Sequence, residues 1–136
     1  LFRLPPLSRN LRKEIARSRK IYFYDLGIRN ALINNFNPLS LRDDVGGLWE
    51  NFCIAEKMKQ QLGLAFKSNF YFWRTYDQQE IDLVEEKGGK FFAYEMKWDP
   101  RLDSRKLKVP VAWRNSYPDA QWQIVNRDSY LEFLEI

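Results

Sequence analysis

Asp82, Glu95 and Lys97 are the residues whose types and spacing could do chemistry together. They lie in two strand-like runs, 80–86 and 91–98, joined by Gly88-Gly89 between Lys87 and Lys90. Glycine reaches positive φ at both central positions of a two-residue hairpin without steric cost, so this dipeptide predicts a tight turn with Lys87 opposite Lys90. Stepping outward from that turn brings Val84 opposite Ala93, Asp82 opposite Glu95 and Glu80 opposite Lys97. Side chains alternate along a strand, so Glu80, Asp82 and Val84 share a face with Ala93, Glu95 and Lys97. Ile81 and Leu83 share the other face with Phe92, Tyr94, Met96 and Trp98. Two ionised carboxylates at a Cβ spacing of about 5 Å repel by about 1–3 kcal/mol. A chain that places Asp, Glu and Lys in this way either presents a solvated edge or holds a divalent metal.

The rest of the composition narrows the chemistry. The chain has no histidine, which removes imidazole bases, histidine metal sites and the usual serine or cysteine triads. Its single cysteine, Cys53, lies in an apolar helical pattern and excludes an internal disulfide or a cysteine-rich zinc site. Any reaction must therefore run on carboxylates, lysine or tyrosine. At 136 residues and 45% hydrophobic, the chain is long enough and apolar enough for one domain with its own core. The formal charge of +4 is uneven: residues 1–30 carry eight Lys/Arg against two acids, while the remainder is slightly acidic. The basic arm reads as a solvated flank, a surface that meets a neighbour, or a segment that tracks phosphates. No run approaches the roughly 18 apolar residues of a membrane span, and no secretory apolar region opens the chain, so a cytoplasmic protein is expected. The opening LFRLPPLSRN has no initiator methionine and reads as the middle of something larger, which predicts a fragment or a processed product.

The elements that must carry these residues follow from periodicity and punctuation. Residues 1–40 read as an N-terminal basic segment, the remnant of a preceding domain or a linker, with Ser8 or Asn10 able to cap a short helix. IYFYDLGIRNALINNF opens as a strand-like aromatic run and becomes a short helix over 26–33, ended by Asn37-Pro38. From Gly47 to about Leu62, Leu48, Phe52, Ala55, Lys59 and Leu62 recur at helical spacing, with Trp49, Cys53 and Ile54 widening the apolar coverage and Gly63 as the stop. Glu50 falls in the first turn of that helix, where the dipole favours a negative charge. Strands follow over 70–75, 80–86 and 91–98. Asp103 or Ser104 then caps a helix running to about Ser116, with Pro110 as a kink or break. A fourth strand, QWQIVN, covers 121–126 and is expected to pair in parallel with the strand over 91–98 across the helical crossover. SYLEFLEI reads as a short terminal helix. The domain proper is expected over 41–136, an α/β chain (α+β, mixed sheet).

The order helix, three-strand meander, helix, strand, with GGLWEN, EID and EMK at those places, resembles the PD-(D/E)XK nuclease superfamily. The words RKIYFYDLGIRNAL, GGLWENF, YFWRT, EIDLV and FAYEMKW also look like the C-terminal domain of uncharacterised function that follows an AAA ATPase module in many prokaryotic ATP-binding proteins. This likeness spans most of residues 9–98 and is looser to the end. It implies a restriction-endonuclease-like αβββαβ core with an N-terminal helical or extended segment. It also implies that Asp82 and Glu95 ligate Mg²⁺ or Mn²⁺, that Glu50 joins them from the helix, and that Lys97 orients or activates the attacking water. Oxygen donors suit such hard cations, and a metal between opposed carboxylates cancels their repulsion. On the nearer pair, Val84 and Ala93 are small enough for the helix carrying Glu50 to approach.

Two functions are carried forward. One is metal-dependent hydrolysis of DNA phosphodiester bonds by the Asp82, Glu95, Lys97 and Glu50 constellation. The other is a catalytically silent nuclease-fold module that binds a partner protein, nucleic acid or its own ATPase domain. This chain has no Gly-rich loop ending in Gly-Lys-Ser/Thr, so ATP binding is expected of an ATPase module elsewhere in the full-length chain.

Overall fold

The computed structural model of the chain describes residues 1–9, 12–101 and 107–135. An antiparallel ribbon of β1 (Phe2–Leu4) and β2 (Lys20–Tyr22) leads into α1 (Leu26–Leu32) and the long α2 (Val45–Gln60), which a 3-10 turn extends to Gly63. The main sheet then forms from β3 (Asn69–Arg74), β4 (Glu80–Lys87), β5 (Lys90–Met96) and β6 (Gln121–Val125), in spatial order β3-β4-β5-β6. Between β5 and β6 runs α3 (Val111–Ser116), and α4 (Tyr130–Phe133) follows β6. The pairs β3·β4 and β4·β5 are antiparallel and β5·β6 is parallel, so the architecture is mixed α/β with a four-stranded mixed sheet. No helix among the described residues is long and apolar enough to cross a membrane.

The glycine turn behaves as the sequence predicts. Gly88 and Gly89 both hold positive φ, 58° and 76°, and the ladder runs from Lys87↔Lys90 through Val84↔Ala93 to Leu83↔Tyr94. The sheet carries a helix on each face. Against one, Trp49, Cys53 and Ile54 of α2 pack on Leu83, Tyr94 and Met96. Against the other, Trp113 of α3 and Tyr117 pack on Trp73, Ile81, Val84 and Ala93. Val84 and Ala93 thus make room for Trp113, not for the helix that carries Glu50, which lies on the opposite face.

Several boundaries differ from the periodicity reading, each for a physical reason. The main helix begins at Val45, so Glu50 stands in its second turn, beyond the strongest reach of the helix dipole. Its buried stripe runs through Trp49, Cys53, Ile54 and Lys57, whereas Lys59 is exposed and Leu62 is 75% exposed, because the sheet meets the helix through the Trp49 side. Lys57 is tolerated there because its Nζ donates to the Phe133 carbonyl at 2.8 Å. Downstream, Pro110 occupies the N-cap position of α3 instead of lying inside a longer helix, as its missing N–H requires. The proposed caps Asp103 and Ser104, and Asn10, lie outside the described residues.

No helix forms among the described residues of 1–20; this stretch packs on the sheet. Leu7 N donates to Phe72 O, Phe72 N to Pro5 O and Ile15 N to Arg74 O, which covers the outer edge of β3. Leu4 and Tyr22 enter the α2-side core. Glu14, 1% exposed, accepts from Arg9 N, Tyr117 Oη and Trp73 Nε1, tying the segment to the α3 side.

Two stability effects follow. Gly89→Val forces a β-branched side chain to φ near 76° and is expected to cost about 1–2 kcal/mol, read as a lower denaturation midpoint with unchanged slope. Glu14→Ala leaves an indole N–H, a phenol and an amide without their buried acceptor and is expected to cost about 3 kcal/mol or more; a loss under 1 kcal/mol would contradict the structural role.

Candidate functional site

Beyond Val84 the β3·β4 register shifts. Tyr71 pairs with Val84, but Trp73 pairs with Ile81, so the single residue Phe72 on β3 lies against two residues, Asp82 and Leu83, on β4. This is a β-bulge with Asp82 in it, and a bulge re-aims the side chains around it. Strict alternation would put Ile81 on the face of Leu83. The bulge instead returns Ile81 to the α3-side cluster with Val84, and Leu83 stays under α2.

Asp82 is consequently not the ladder partner of Glu95. The paired register stops at Leu83↔Tyr94, and Asp82 Oδ2 takes the Met96 amide at 2.8 Å. The carboxylate thus replaces a backbone acceptor where β4 and β5 part. The two acids nevertheless remain close enough to repel, and both line a cavity of about 370 Å³ with Gly46, Glu50, Lys97 and Asp99. All four residues expected to do chemistry therefore meet at one opening. Lys97 is not paired with Glu80. Its amide follows β6 by donating to Val125 O, and its Nζ sits 3.3 Å from Glu95 Oε1.

Glu50 reaches the cluster from α2, held by residues that the motif reading left out. Lys20 Nζ lies 3.2 Å from Glu50 Oε1 and 2.5 Å from Glu80 Oε1, and Tyr22 Oη donates to the same Glu50 oxygen. Arg74 supplies the other cation on Glu80, at 3.3 Å. A signal for Lys20 and Tyr22 was present in RKIYFY: two polar tips at i and i+2 share one face of an otherwise apolar strand. What the sequence could not show was where that strand docks.

The electrostatics follow from burial and from this arrangement. Burial, then Glu50 and Glu95, push the Asp82 carboxyl up to about 8, against the Met96 amide and Lys20. Glu95 is also raised, by burial first, with Lys97 opposing. Burial works against Glu80, but Lys20 and Arg74 hold it below the usual glutamate range. Burial would likewise lower Lys20, yet Glu50, Glu80 and Asp82 outweigh it and keep the ammonium charged. Half-buried Asp99, on the same cavity wall, is held down at about 2 by Arg101.

Among the described residues, Glu50, Asp82 and Glu95 each have one oxygen engaged by a donor, and no hydrogen bond from them reaches Glu50 Oε2, Asp82 Oδ1 or Glu95 Oε2. Among the described residues no three acidic or thiol side chains converge closely enough to form a three-ligand cage. The donor set fits Mg²⁺ or Mn²⁺ all the same, since Mg²⁺ keeps several waters and needs only one or two protein carboxylates. Asp82 and Glu95 would hold it, with Glu50 on the wall of the same cavity.

The raised Asp82 carboxyl gives a pH signature. Between about pH 4 and pH 8 Asp82 holds its proton more tightly in the folded chain than in the unfolded one, so its contribution to stability falls as the pH rises through that window. Asp82→Asn can still accept the Met96 amide but carries no charge. In metal-free buffer at pH 8 it is expected to melt about 3 °C or more above the wild type, with the gap closing towards pH 4. A variant that melts lower than the wild type at pH 8 would show that Asp82 is not under electrostatic stress.

Comparison with known proteins finds a match over residues 45–134 to the family described as "Domain of unknown function (DUF4143)". Among curated proteins, the chain is similar to "Uncharacterized protein Rv2008c" of Mycobacterium tuberculosis and "Uncharacterized protein Mb2031c" of Mycobacterium bovis. Each is 32% identical over 96 residues, covering 69% of this chain and 21% of the relative. The chain thus spans about a fifth of the length of these curated relatives. No solved structure matches it. Because the family match runs unbroken from α2 through the sheet to α4, taking in Glu50, Asp82, Glu95 and Lys97, the chain belongs to the DUF4143 family.

Proposed function

We propose that this domain is a nuclease-fold module that hydrolyses DNA phosphodiester bonds with a divalent cation, Mg²⁺ or Mn²⁺, held by Asp82 and Glu95. The observation that carries this reading is the shared opening: α2, the β4 bulge and the end of β5 bring Glu50, Asp82, Glu95 and Lys97 to one cavity. The element order α2-β3-β4-β5-α3-β6 also agrees with the αβββαβ core implied by the PD-(D/E)XK resemblance, which supports the reading at the level of fold. When bound, such a cation polarises a phosphoryl oxygen and acidifies a water.

The protein's own groups supply the rest. The Met96 amide fixes Asp82 through Oδ2 at the wall of the cavity. Lys97, beside Glu95, offers an ammonium that can hold the attacking water or neutralise charge developing on the phosphoryl group. Glu50, held on one oxygen by Lys20 and Tyr22, has a second carboxylate oxygen that could accept from a water in the cavity. The wider assembly in this proposal is a prokaryotic ATP-binding protein in which an AAA ATPase module precedes the domain.

A second reading, a catalytically silent module that binds a partner protein, is favoured by the surface over 28–41. There Ile28, Leu32, Phe36 and Leu41 are all more than half exposed, α1 buries no residue, and an apolar cavity of about 360 Å³ opens beside Trp49 and Trp98.

Calorimetric titration with Mg²⁺ and Mn²⁺ separates the two. The catalytic reading expects binding by the wild type and at least a tenfold loss in Asp82→Asn. It also expects metal-dependent cleavage of duplex, single-stranded or branched DNA that falls about 100-fold or more in Lys97→Ala. A wild type that takes up neither ion rejects it in favour of the silent module, and cleavage that survives Lys97→Ala points to contamination or to a mechanism that does not use Lys97.

A further inference from the structure

A cation in contact with Glu50, Lys20, comes from outside the family match. β2 is docked on α2 by Asn51, whose side chain both accepts from Phe23 N and donates to Phe23 O at 3.0 and 2.6 Å. That two-point attachment sets the register of the ribbon one residue from Glu50. Lys20 and Tyr22, on one face of β2, then both engage Glu50 Oε1. Lys20 Nζ also contacts Glu80 of β4 and stands 5.5 Å from the centre of the Phe72 ring, opposite the bulge that holds Asp82. It is largely buried, with 19% of its side chain exposed. Among the described residues, it is the cation in salt-bridge contact with an acid of α2 and an acid of β4 at the same time.

We propose that Lys20 is an internal counter-ion of the Glu50, Glu80 and Asp82 cluster, so that the β1–β2 ribbon sets how tightly the site takes a divalent cation. This rests on the metal-site reading of Asp82 and Glu95. The physical basis is Coulombic. A fixed ammonium among the carboxylates screens their mutual repulsion in the free protein and repels a second cation that arrives there. Both effects weaken ion binding, and both vanish with the charge. Tyr22 has a different part: its hydroxyl orients the same Glu50 oxygen without contributing charge. Lys20 and Tyr22 are thus positioning residues with opposite expected effects, which a merely structural role for the ribbon does not produce.

The test is Mn²⁺ titration by calorimetry on the wild type, Lys20→Met, Lys20→Arg and Tyr22→Phe, with melting curves in metal-free and Mn²⁺ buffers. Lys20→Met is expected to bind Mn²⁺ about tenfold more tightly, roughly 1.4 kcal/mol. It should also melt lower without metal and gain more from Mn²⁺ than the wild type does. Lys20→Arg keeps the charge and should bind like the wild type, whereas Tyr22→Phe should bind about threefold more weakly. Should Lys20→Met fail to fold, Lys20→Gln removes the charge while keeping hydrogen-bonding capacity and is expected to tighten binding likewise. Unchanged or weaker binding in the uncharged variants, with a wild type that binds, overturns the counter-ion role and leaves the metal site standing. A wild type and variants that all fail to bind overturn the metal site, and the counter-ion role with it.

Discussion

The extra residue in β4 is the constraint on which the candidate site depends. Without it, Asp82 would project beside Val84 into the cluster of Trp73, Trp113 and Tyr117, where a carboxylate would meet aromatic surface. The bulge opposite Phe72 lets Ile81 fill that position and leaves Asp82 at the parting of β4 and β5, where the Met96 amide has lost its ladder partner. One irregularity therefore serves two needs. It keeps apolar side chains on both buried faces of the sheet, and it satisfies a backbone donor with a side-chain oxygen.

Two buried acids show how differently a carboxylate can be housed. Glu14, on the α3 side, accepts from an amide, an indole and a phenol, and those contacts bind the N-terminal segment to the sheet. Among the described residues Asp82 has one amide donor and two carboxylate neighbours, Glu50 and Glu95, that oppose its ionisation. The first arrangement is cohesive. The second holds repulsion within the fold, between Asp82 and the carboxylates of Glu50 and Glu95.

The N-terminal ribbon belongs to this balance although the family match begins only at Val45. Its residues cover the edge of β3, contribute Leu4 and Tyr22 to the α2-side core, and place an ammonium against Glu50 and Glu80. Basic character that reads as a detached flank in one dimension becomes, at Lys20, the counterweight to acids that lie 30 and 60 residues later in the chain.

The local features were legible because local physics decides them. A Gly-Gly pair permits positive φ at two successive residues, so the Lys87↔Lys90 register and the five ladder pairs beyond and including it could be read directly. Strand-like runs marked β3 to β6, the periodicity from Leu26 marked α1, and Asp82, Glu95 and Lys97 were identifiable by type and spacing, with Glu50 added by the family resemblance. Tertiary packing decided the rest. The bulge arises between strands, from the competition of Ile81 and Asp82 for the aromatic face, and no periodicity within β4 encodes it. The face that α2 covers, the departure of Lys97 from Glu80 to follow β6, and the docking of Lys20 on Glu50 likewise depend on contacts between segments far apart in sequence. The chain by itself named the acids and the hairpin that bears two of them; only the folded arrangement determined which of their oxygens are engaged, because those partners are supplied by other elements.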